Sequence, residues 1–335
     1  MSAPRAFTLD NGAGLSLTAL DLGGCVTSLK VPDRQGRLAD VVLGLSAPAD
    51  YARPHPHLGA IVGRYANRIA GASFTLDGRA HRLPANNGAN TLHGGPAGFA
   101  RRTWDVEPLP RAADGSVTLL LRLASEDGDQ GFPGRLDVEV RYTLTPRMEW
   151  RIAYRARCDR PTVVNLSQHA YFNLAGGGDI LGHRLAIAAR SYCAVDEALI
   201  PTQVAPVAGT PFDFRAPAAI GARLGEPHPQ LLRARGYDHN WVLDGQGLRV
   251  VARLEDPASG RAMEVATTEP GLQFYSGNFL DGSLAGRDGP LVRHAGLCLE
   301  TQHFPDSPHR PDFPSTVLRP GETFASTTVY RFIPS

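Results

Sequence analysis

Apolar and polar side chains alternate along much of the chain, and this alternation is the main guide to its secondary structure. Over residues 136–144 every even position is apolar and every odd position is polar. After a turn at residues 145–148, the apolar residues Trp150, Ile152 and Tyr154 again stand at alternate positions. Because successive side chains of a strand point to opposite faces, these segments are predicted to form an antiparallel hairpin with one buried face.

Two other segments follow the same rule. Residues 74–79 contain Asp77–Gly78, a dipeptide typical of a two-residue hairpin turn. Residues 248–254 alternate again, and the turn-forming residues 256–260 lead the chain back toward a further strand. Both segments therefore predict additional antiparallel pairs.

Helices contribute little to the predicted structure, because a helical period never holds over the length of an ordinary helix. Short helices are predicted only near Ser46–Tyr51 and Ala194–Leu199. No flexible linker, charge run or internal repeat divides the 335 residues, and the 36 glycines and 27 prolines suit a chain rich in strands and loops. The prediction is an all-β chain in which residues 1–335 form one domain, a large antiparallel β-sandwich with covered sheet edges.

Charge and cysteine usage limit the classes of partner. The formal net charge is +1 without a lysine or arginine cluster, so nothing favours nucleic acid or an anionic membrane surface. Residues 1–7 have no apolar signal segment, and no apolar run approaches the length of a membrane span. The four scattered cysteines are interpreted as buried thiols of a reducing compartment; they are Cys25, Cys158, Cys193 and Cys298. A cytoplasmic protein without membrane contact is predicted.

The first candidate functional segment is residues 163–174, where polar side chains stand between apolar flanks. His169 and Tyr171 occupy its middle, and glycines at 176–178 follow, which indicates a strand end held near the core. Polar groups in such a place need hydrogen-bond partners or a wet pocket. The imidazole is either a core histidine bonded to backbone or a functional group that titrates near neutral pH, and the segment alone favours neither.

Four other segments combine residues that suit a ligand. Residues 63–69 offer the planar donor groups of two arginines, and residues 86–95 form a polar, glycine-rich loop. Residues 236–241 place an acid beside an amide and an indole, and residues 271–279 place polar groups between aromatic ones. Aromatic faces and amides are common in carbohydrate clefts. Each segment also has a plain structural interpretation, as an arginine that bridges strands at the surface, as a turn or as edge-strand packing.

Residues 296–306 are the most informative segment. Cys298 and Glu300 are predicted to share one face of a strand that is apolar on both sides up to that point. Burial raises the pKa of a carboxyl group unless an arginine or hydrogen-bond donors hold it charged. Since buried carboxylates are uncommon, a functional role for Glu300 is favoured over a structural one.

Several familiar chemistries are excluded by spacing. The chain has no G-x-S-x-G elbow, no phosphate-binding or dinucleotide-binding glycine loop and no H-E-x-x-H motif. The closest pair of histidines lies in His55–Pro56–His57, and the prolines around it predict an exposed turn rather than a metal site. Neither a metal nor a cofactor is predicted.

Six segments, in this order, resemble the aldose 1-epimerase (galactose mutarotase) family. They read GRYANRI, NNGANTLHGG, NLSQHAYFNL, YDHNWVL, GLQFYSGNFLDG and CLETQHFPDSPHRPDFPS. The resemblance runs from about Phe7 to Phe332 and implies a galactose mutarotase-like supersandwich, with a sugar cleft on one sheet. It also implies an enzyme that interconverts the α and β anomers of aldohexoses such as D-galactose and D-glucose.

The resemblance also implies roles for individual residues. Glu300 matches the general base of the family, and His169 matches its general acid. Six more residues match positions that contact the sugar or orient this pair: Asn67, Arg68, His93, Tyr171, Asp238 and Gln273. The chemistry agrees, because opening a hemiacetal needs a base for the anomeric proton and an acid for the ring oxygen.

Two alternatives stay open at this point. A non-catalytic carbohydrate-binding module of the same fold would not need both Glu300 and His169. A hexose-6-phosphate 1-epimerase would add an arginine cluster for the phosphate, which folding could assemble from dispersed arginines. A small-molecule aldose is the predicted partner and a monomer or weak homodimer the predicted assembly, while the preferred aldose is left open.

Overall fold

The computed structural model describes residues 3–334, and strands dominate this range. In chain order the strands are β1 (Ala6–Asp10), β2 (Ser16–Leu20), β3 (Val26–Pro32), β4 (Leu38–Asp40), β5 (Ile61–Val62), β6 (Arg68–Ile69), β7 (Ser73–Leu76), β8 (Arg79–Arg82), β9 (Thr91–Leu92), β10 (Asp105–Pro108), β11 (Val117–Ser125), β12 (Leu136–Thr145), β13 (Glu149–Cys158), β14 (Thr162–Val163), β15 (Ser167–Gln168), β16 (Tyr171–Phe172), β17 (Arg184–Ile187), β18 (Ala189–Val195), β19 (Pro201–Pro206), β20 (Ala218–Ala219), β21 (Asp238–Leu243), β22 (Arg249–Asp256), β23 (Arg261–Thr267), β24 (Gly271–Tyr275), β25 (Ala285–Gly286), β26 (Gly289–Pro290), β27 (Leu297–Gln302), β28 (Val317–Leu318) and β29 (Phe324–Pro334). The α-helix is α1 (Pro229–Ala234), and short 3₁₀ turns lie at Pro48–Ala52, Ala70–Ala72, Phe99–Arg101, Asp129–Gly131, Ile220–Ala222 and Ser307–His309.

Two large antiparallel sheets form the body of the protein. The nine-stranded sheet has the order β10-β11-β12-β13-β29-β23-β22-β17-β20, and the six-stranded sheet has the order β16-β27-β24-β21-β18-β19. A four-stranded sheet, β1-β2-β3-β4, lies beside them. The predicted all-β antiparallel sandwich is therefore confirmed.

The main core lies between the two large sheets. The ring of Phe172 from the six-stranded sheet lies 5.0 Å from that of Tyr330 in the nine-stranded sheet. The Tyr330 hydroxyl also donates to the carbonyl of Leu299, at 3.0 Å. In β27, Leu297 and Leu299 pack into this core, whereas Cys298 belongs to a second apolar cluster on the other face of the sheet. By the alternation of a strand, Glu300 lies on the same face as Cys298.

The predicted hairpins are confirmed. β12 and β13 pair in antiparallel register, with Val140 opposite Tyr154. β7 and β8 are joined by Asp77 and Gly78, whose positive φ values of 49° and 76° are those that this tight turn requires. β22 and β23 also pair as predicted.

The two predicted helices are not both found. A 3₁₀ turn at Pro48–Ala52 overlaps the first prediction, but a helix at Ala194–Leu199 is wrong. β18 continues to Val195, and the Asp196 carboxylate then accepts bonds from the backbone N–H groups of Ala198 and Ile200, which closes a tight turn. Helix α1 escaped prediction because six residues are too few to show a helical period. Within the described residues, no helix has the length and apolar character needed to span a membrane.

Candidate active site

Glu300 lies in the middle of β27, where all six residues of the strand are buried. The residue keeps only 2% of its surface exposed, and Oε2 has no hydrogen-bond partner among residues 3–334. Burial raises the pKa of Glu300 well above the ordinary carboxyl value, and the nearby Asp238 carboxylate raises it further. The positive charge of Arg68 opposes this shift. The net shift favours the protonated form of this carboxyl group.

His169 follows β15 and faces Glu300. Its backbone N–H donates to the carbonyl of Ala60 at 2.9 Å, and its own carbonyl accepts from Gly59 at 3.0 Å. Nε2 lies 3.7 Å from Oε1 of Glu300, and Nδ1 lies 3.5 Å from Sγ of Cys298. Burial lowers the pKa of His169 to about 4. Cys298 and Glu300 thus contact the same imidazole, which agrees with the shared strand face predicted for them.

His93 lies beside His169 in a loop whose backbone is unusually bent. Asn67 and His93 both have positive φ, at 64° and 52°, and they exchange hydrogen bonds: His93 N–H donates to the Asn67 carbonyl, and Asn67 N–H donates to His93 Nδ1. Burial lowers the pKa of His93 well below its ordinary value. Because Nδ1 of this neutral ring accepts a hydrogen bond, its proton must lie on Nε2. His93 is therefore a hydrogen-bond donor toward any ligand at Nε2.

Asp238 and Gln273 stand on neighbouring strands of the six-stranded sheet. The Gln273 amide donates to Asp238 Oδ1 at 2.7 Å, and the register places Gln273 opposite Glu300. Burial raises the pKa of Asp238, while Arg68 and the bond from Gln273 lower it. Gln273 thus orients the carboxylate of Asp238.

The ring of Tyr171 packs against that of His169, with the two ring centroids 5.1 Å apart. Its hydroxyl donates to the carbonyl of Pro56 at 3.0 Å. Burial raises the pKa of Tyr171 well above the ordinary phenol value, so this hydroxyl keeps its proton. The residue is placed to hold the chain near Pro56 against the site.

These residues surround a cavity of about 560 Å³. Seven of the eight residues singled out from the sequence line it: Asn67, Arg68, His93, His169, Tyr171, Asp238 and Glu300. Gln273 is absent from the lining, but its amide donates to Asp238, which lines the cavity. The sequence did not single out Leu199, Tyr275 and Phe279 as individual site residues, although the last two fall in the aromatic segment 271–279.

One group of side chains in the cavity has the chemistry of a metal site. Ligand atoms of His93, His169 and Glu300 lie within 4.8 Å of one another. The hydrogen bond that His93 Nδ1 accepts from Asn67 opposes this use, since a metal at Nε2 would require the proton to move to Nδ1. The residues therefore fit hydrogen bonding to a ligand better than they fit a resident metal.

Besides the buried carboxyl, imidazole and amide groups around one cavity, the chain as a whole is similar to known proteins. The sequence model of the family described as Aldose 1-epimerase matches residues 5–331. The chain belongs to the aldose 1-epimerase family. The resemblance inferred from the six segments is thereby confirmed.

Relatives within the aldose 1-epimerase family cover nearly the whole chain. The galactose mutarotase of Mus musculus is 46% identical over 95% of this chain and 91% of its own length. The aldose 1-epimerase of Escherichia coli K12 is 41% identical over 98% of this chain and 95% of its own. Among solved structures, an aldose epimerase homologue from C. elegans superposes with a TM-score of 0.90 at 30% identity, covering 99% of both chains. Galactose 1-epimerase from Lactobacillus acidophilus superposes with a TM-score of 0.88 at 29% identity, covering 98% of this chain and 94% of that one.

Two arginines of the segment 63–69 have different surroundings in this aldose 1-epimerase fold. Arg64 is 2% exposed, and its guanidinium donates to the carbonyls of Ser125 and Gly134, among others. Its role is structural, but it is buried and not at the surface as that interpretation expected. Arg68 instead lines the cavity, where its Nε donates to Asn87 Oδ1 at 3.0 Å.

The predicted exposed turn at His55–Pro56–His57 is wrong. His55 is buried, and its Nδ1 accepts a bond from the N–H of Leu58. His57 lines the cavity beside His93. The neighbouring prolines suggested a surface loop, but this loop folds inward because residues 59 and 60 pair with the backbone of His169.

Proposed function

We propose that this protein catalyses the interconversion of the α and β anomers of aldohexoses such as D-galactose and D-glucose. The observation that carries the proposal is the pair of Glu300 and His169, whose buried side chains face each other at the cavity and have pKa values shifted in opposite directions. Pairs of titratable groups whose surroundings separate their pKa values are characteristic of acid–base catalysis.

The reaction needs one proton on this pair. Burial favours the uncharged form of both groups, which places that proton on Glu300. Transfer of the proton to His169 leaves the net charge of the pair unchanged. Glu300 is then a base and His169 an acid, as the reaction requires.

The chemistry proceeds by ring opening and closure. Glu300 removes the proton of the anomeric hydroxyl, and His169 donates a proton to the ring oxygen as the C1–O5 bond breaks and the aldehyde forms. After rotation about C1–C2, the O5 hydroxyl attacks the other face of C1. His169 takes back its proton and Glu300 returns the other to the anomeric oxygen, so both residues end as they began. Each positioned proton transfer accelerates a reaction by roughly 10²–10⁴-fold.

The remaining residues bind the sugar and stabilise charge. The N–H at Nε2 of His93 and the guanidinium of Arg68 face the cavity as donors for sugar oxygens on which negative charge grows. Asp238, held by Gln273, offers carboxylate oxygens to sugar hydroxyls. Tyr171 acts by packing against His169.

The phosphorylated alternative is less favoured by the cavity. Arg68 is the single arginine among the residues that line it, and its Nε already donates to Asn87. A phosphate normally calls for several cationic donors. An unphosphorylated aldose is therefore the proposed substrate.

The decisive experiment is polarimetry of freshly dissolved α-D-galactose, α-D-glucose and D-glucose 6-phosphate, with and without the protein. Faster decay of optical rotation for the free hexoses is expected, with no loss after exhaustive chelation. A rate equal to the spontaneous one for all three sugars would exclude the proposal in favour of a binding module. A preference for the 6-phosphate would favour the alternative epimerase.

The proposal extends to the organisation of the molecule. Residues 1–335 act as a single domain, as a monomer or weak homodimer in the cytoplasm, with the aldose as the only small-molecule partner. Sedimentation velocity at micromolar concentration tests the assembly, and a stable larger oligomer would contradict it.

A further inference from the structure

Three imidazoles, rather than two, line one wall of the cavity. The ring of His57 lies 4.6 Å from that of His93 and 5.8 Å from that of His169, measured between centroids. His93 and His169 are themselves 5.2 Å apart. The family resemblance assigned no role to His57, and its sequence neighbours suggested a surface turn.

His57 is held in place by the same contacts that hold His169. Its backbone has a φ of 54°, in the left-handed region that residues other than glycine seldom adopt. The turn around it is tied to the catalytic segment, because Gly59 N–H donates to the carbonyl of His169 and Ala60 accepts from His169 N–H. Tyr171 anchors the residue before His57, because its hydroxyl donates to the carbonyl of Pro56. A strained conformation fixed by neighbouring structure is common in ligand-binding positions.

The chemistry of His57 suits a hydroxyl group. Burial, and then the neighbouring imidazole of His169, lower its pKa well below the ordinary value, so the ring is neutral. A neutral imidazole has one donor and one acceptor, which is the complement of a sugar hydroxyl rather than of a phosphate or carboxylate. Nδ1 of His57 is buried without a partner among the residues that the structure describes. Nε2 has no hydrogen-bond partner among the described residues either, and as the accessible nitrogen of a ring that lines the cavity it is the one open to a ligand.

We propose that His57 is a specificity-determining residue of the sugar site, which hydrogen-bonds one sugar hydroxyl other than the anomeric one. The proposal rests on the proposed function, because the ligand is taken to be the aldose. The anomeric hydroxyl belongs to Glu300 and the ring oxygen to His169, so His57 serves a hydroxyl whose bonding does not change during ring opening. Such a contact contributes equally to the ground and transition states and therefore sets KM rather than kcat.

The test combines a variant with a series of altered sugars. His57→Phe keeps a flat ring but removes both nitrogen atoms, and the matched control His81→Phe changes a histidine that stacks on Phe74 away from the cavity. KM and kcat are measured by polarimetry for D-galactose and for its 2-, 3-, 4- and 6-deoxy analogues. Loss of one neutral hydrogen bond is expected to change KM by about two- to thirteenfold.

His57→Phe is expected to raise the KM for galactose by that factor while kcat changes less than threefold (roughly the error of comparing two variants). One deoxy analogue should bind wild-type protein more weakly than galactose does, yet bind His57→Phe no more weakly than galactose does. That analogue identifies the hydroxyl. An unchanged KM in His57→Phe, or full discrimination against every analogue, would overturn the proposal.

Two further measurements keep the outcome unambiguous. His57→Asn retains a donor and an acceptor, so it should recover part of the affinity that His57→Phe loses if the lost hydrogen bond is the cause. No recovery would assign the loss to a disturbed fold and contradict the proposal. If wild-type protein does not accelerate mutarotation, the proposed function fails, and galactose binding to wild type and His57→Phe is then compared by calorimetry. Equal dissociation constants in that comparison would reject the role of His57 independently.

Discussion

Nε2 of His169 lies 3.7 Å from Oε1 of Glu300, a separation too long for a direct hydrogen bond. Each group is thus available to a different oxygen of a bound sugar. Both side chains are almost fully buried, and burial moves their pKa values in opposite directions. The relationship allows one proton to be held by either residue, and several predictions depend on it.

Glu300→Gln and His169→Asn should each lower kcat for mutarotation by at least about 10²-fold, because each substitution nearly preserves volume but removes a proton-transfer group. Polarimetry gives the rates, and circular dichroism establishes that the variants are folded. Near-parental activity in either folded variant would show that the substituted residue does not transfer a proton.

The activity should have a bell-shaped dependence on pH. Below the pKa of His169, about 4, both members of the pair are protonated and no base is left. Above the raised pKa of Glu300 the shared proton is lost and no acid is left. We therefore expect kcat/KM to be level across neutral pH, after subtraction of the spontaneous rate at each pH. An acidic limb near the ordinary histidine pKa would contradict this account.

Glu300→Gln should stabilise the fold increasingly as pH rises. Above the ordinary carboxyl pKa, the unfolded protein releases the proton of Glu300 while the folded protein retains it, so folding of the wild type becomes less favourable with rising pH. Glutamine has no proton to release. The difference in unfolding free energy should grow by about 1.4 kcal/mol per pH unit until the folded pKa is reached. Urea unfolding of both proteins between pH 5 and about pH 8 measures it, and a constant difference would argue against a raised pKa.

Asp238→Asn should raise KM more than it lowers kcat, since the role proposed for its carboxylate is to bond sugar hydroxyls that do not change during the reaction. Loss of a charged hydrogen bond costs about 1.5–3 kcal/mol, or roughly 10–150-fold. Gln273→Ala should have a smaller effect of the same kind, because it acts by releasing Asp238. Both constants come from polarimetry over a range of galactose concentrations. A collapse of kcat at unchanged KM in Asp238→Asn would instead place that carboxylate in proton transfer.

Local patterns in the sequence predicted the strands well where one face of the strand is buried and the other is exposed to solvent. The hairpin of β12 and β13 and the Asp77–Gly78 turn follow directly from alternation and from turn chemistry. The buried position of Glu300 was also predictable, because the residues before it are apolar on both strand faces. These features depend on neighbours in the sequence.

Other features depend on which distant segments meet, and the sequence does not contain that information in local form. His57 enters the cavity because residues 59 and 60 pair with His169, more than a hundred positions along the chain. Gln273 faces Glu300 because β24 pairs with β27 in one register. Prolines near His57 have the same appearance in an exposed turn and in an inward one, so the prediction there was wrong.

The position of β29 has a consequence for synthesis of the protein. This strand lies between β13 and β23 and joins the two halves of the nine-stranded sheet. It is nevertheless the last strand in chain order, formed by Phe324–Pro334. A nascent chain that has not reached these residues exposes the edges of both neighbours, with unpaired backbone groups along each. Such edges recruit other strands, so interrupted translation products should aggregate. A chain that stops after Thr323 should accordingly be recovered in the insoluble fraction, whereas soluble, monomeric material would show that each half-sheet protects its own edge.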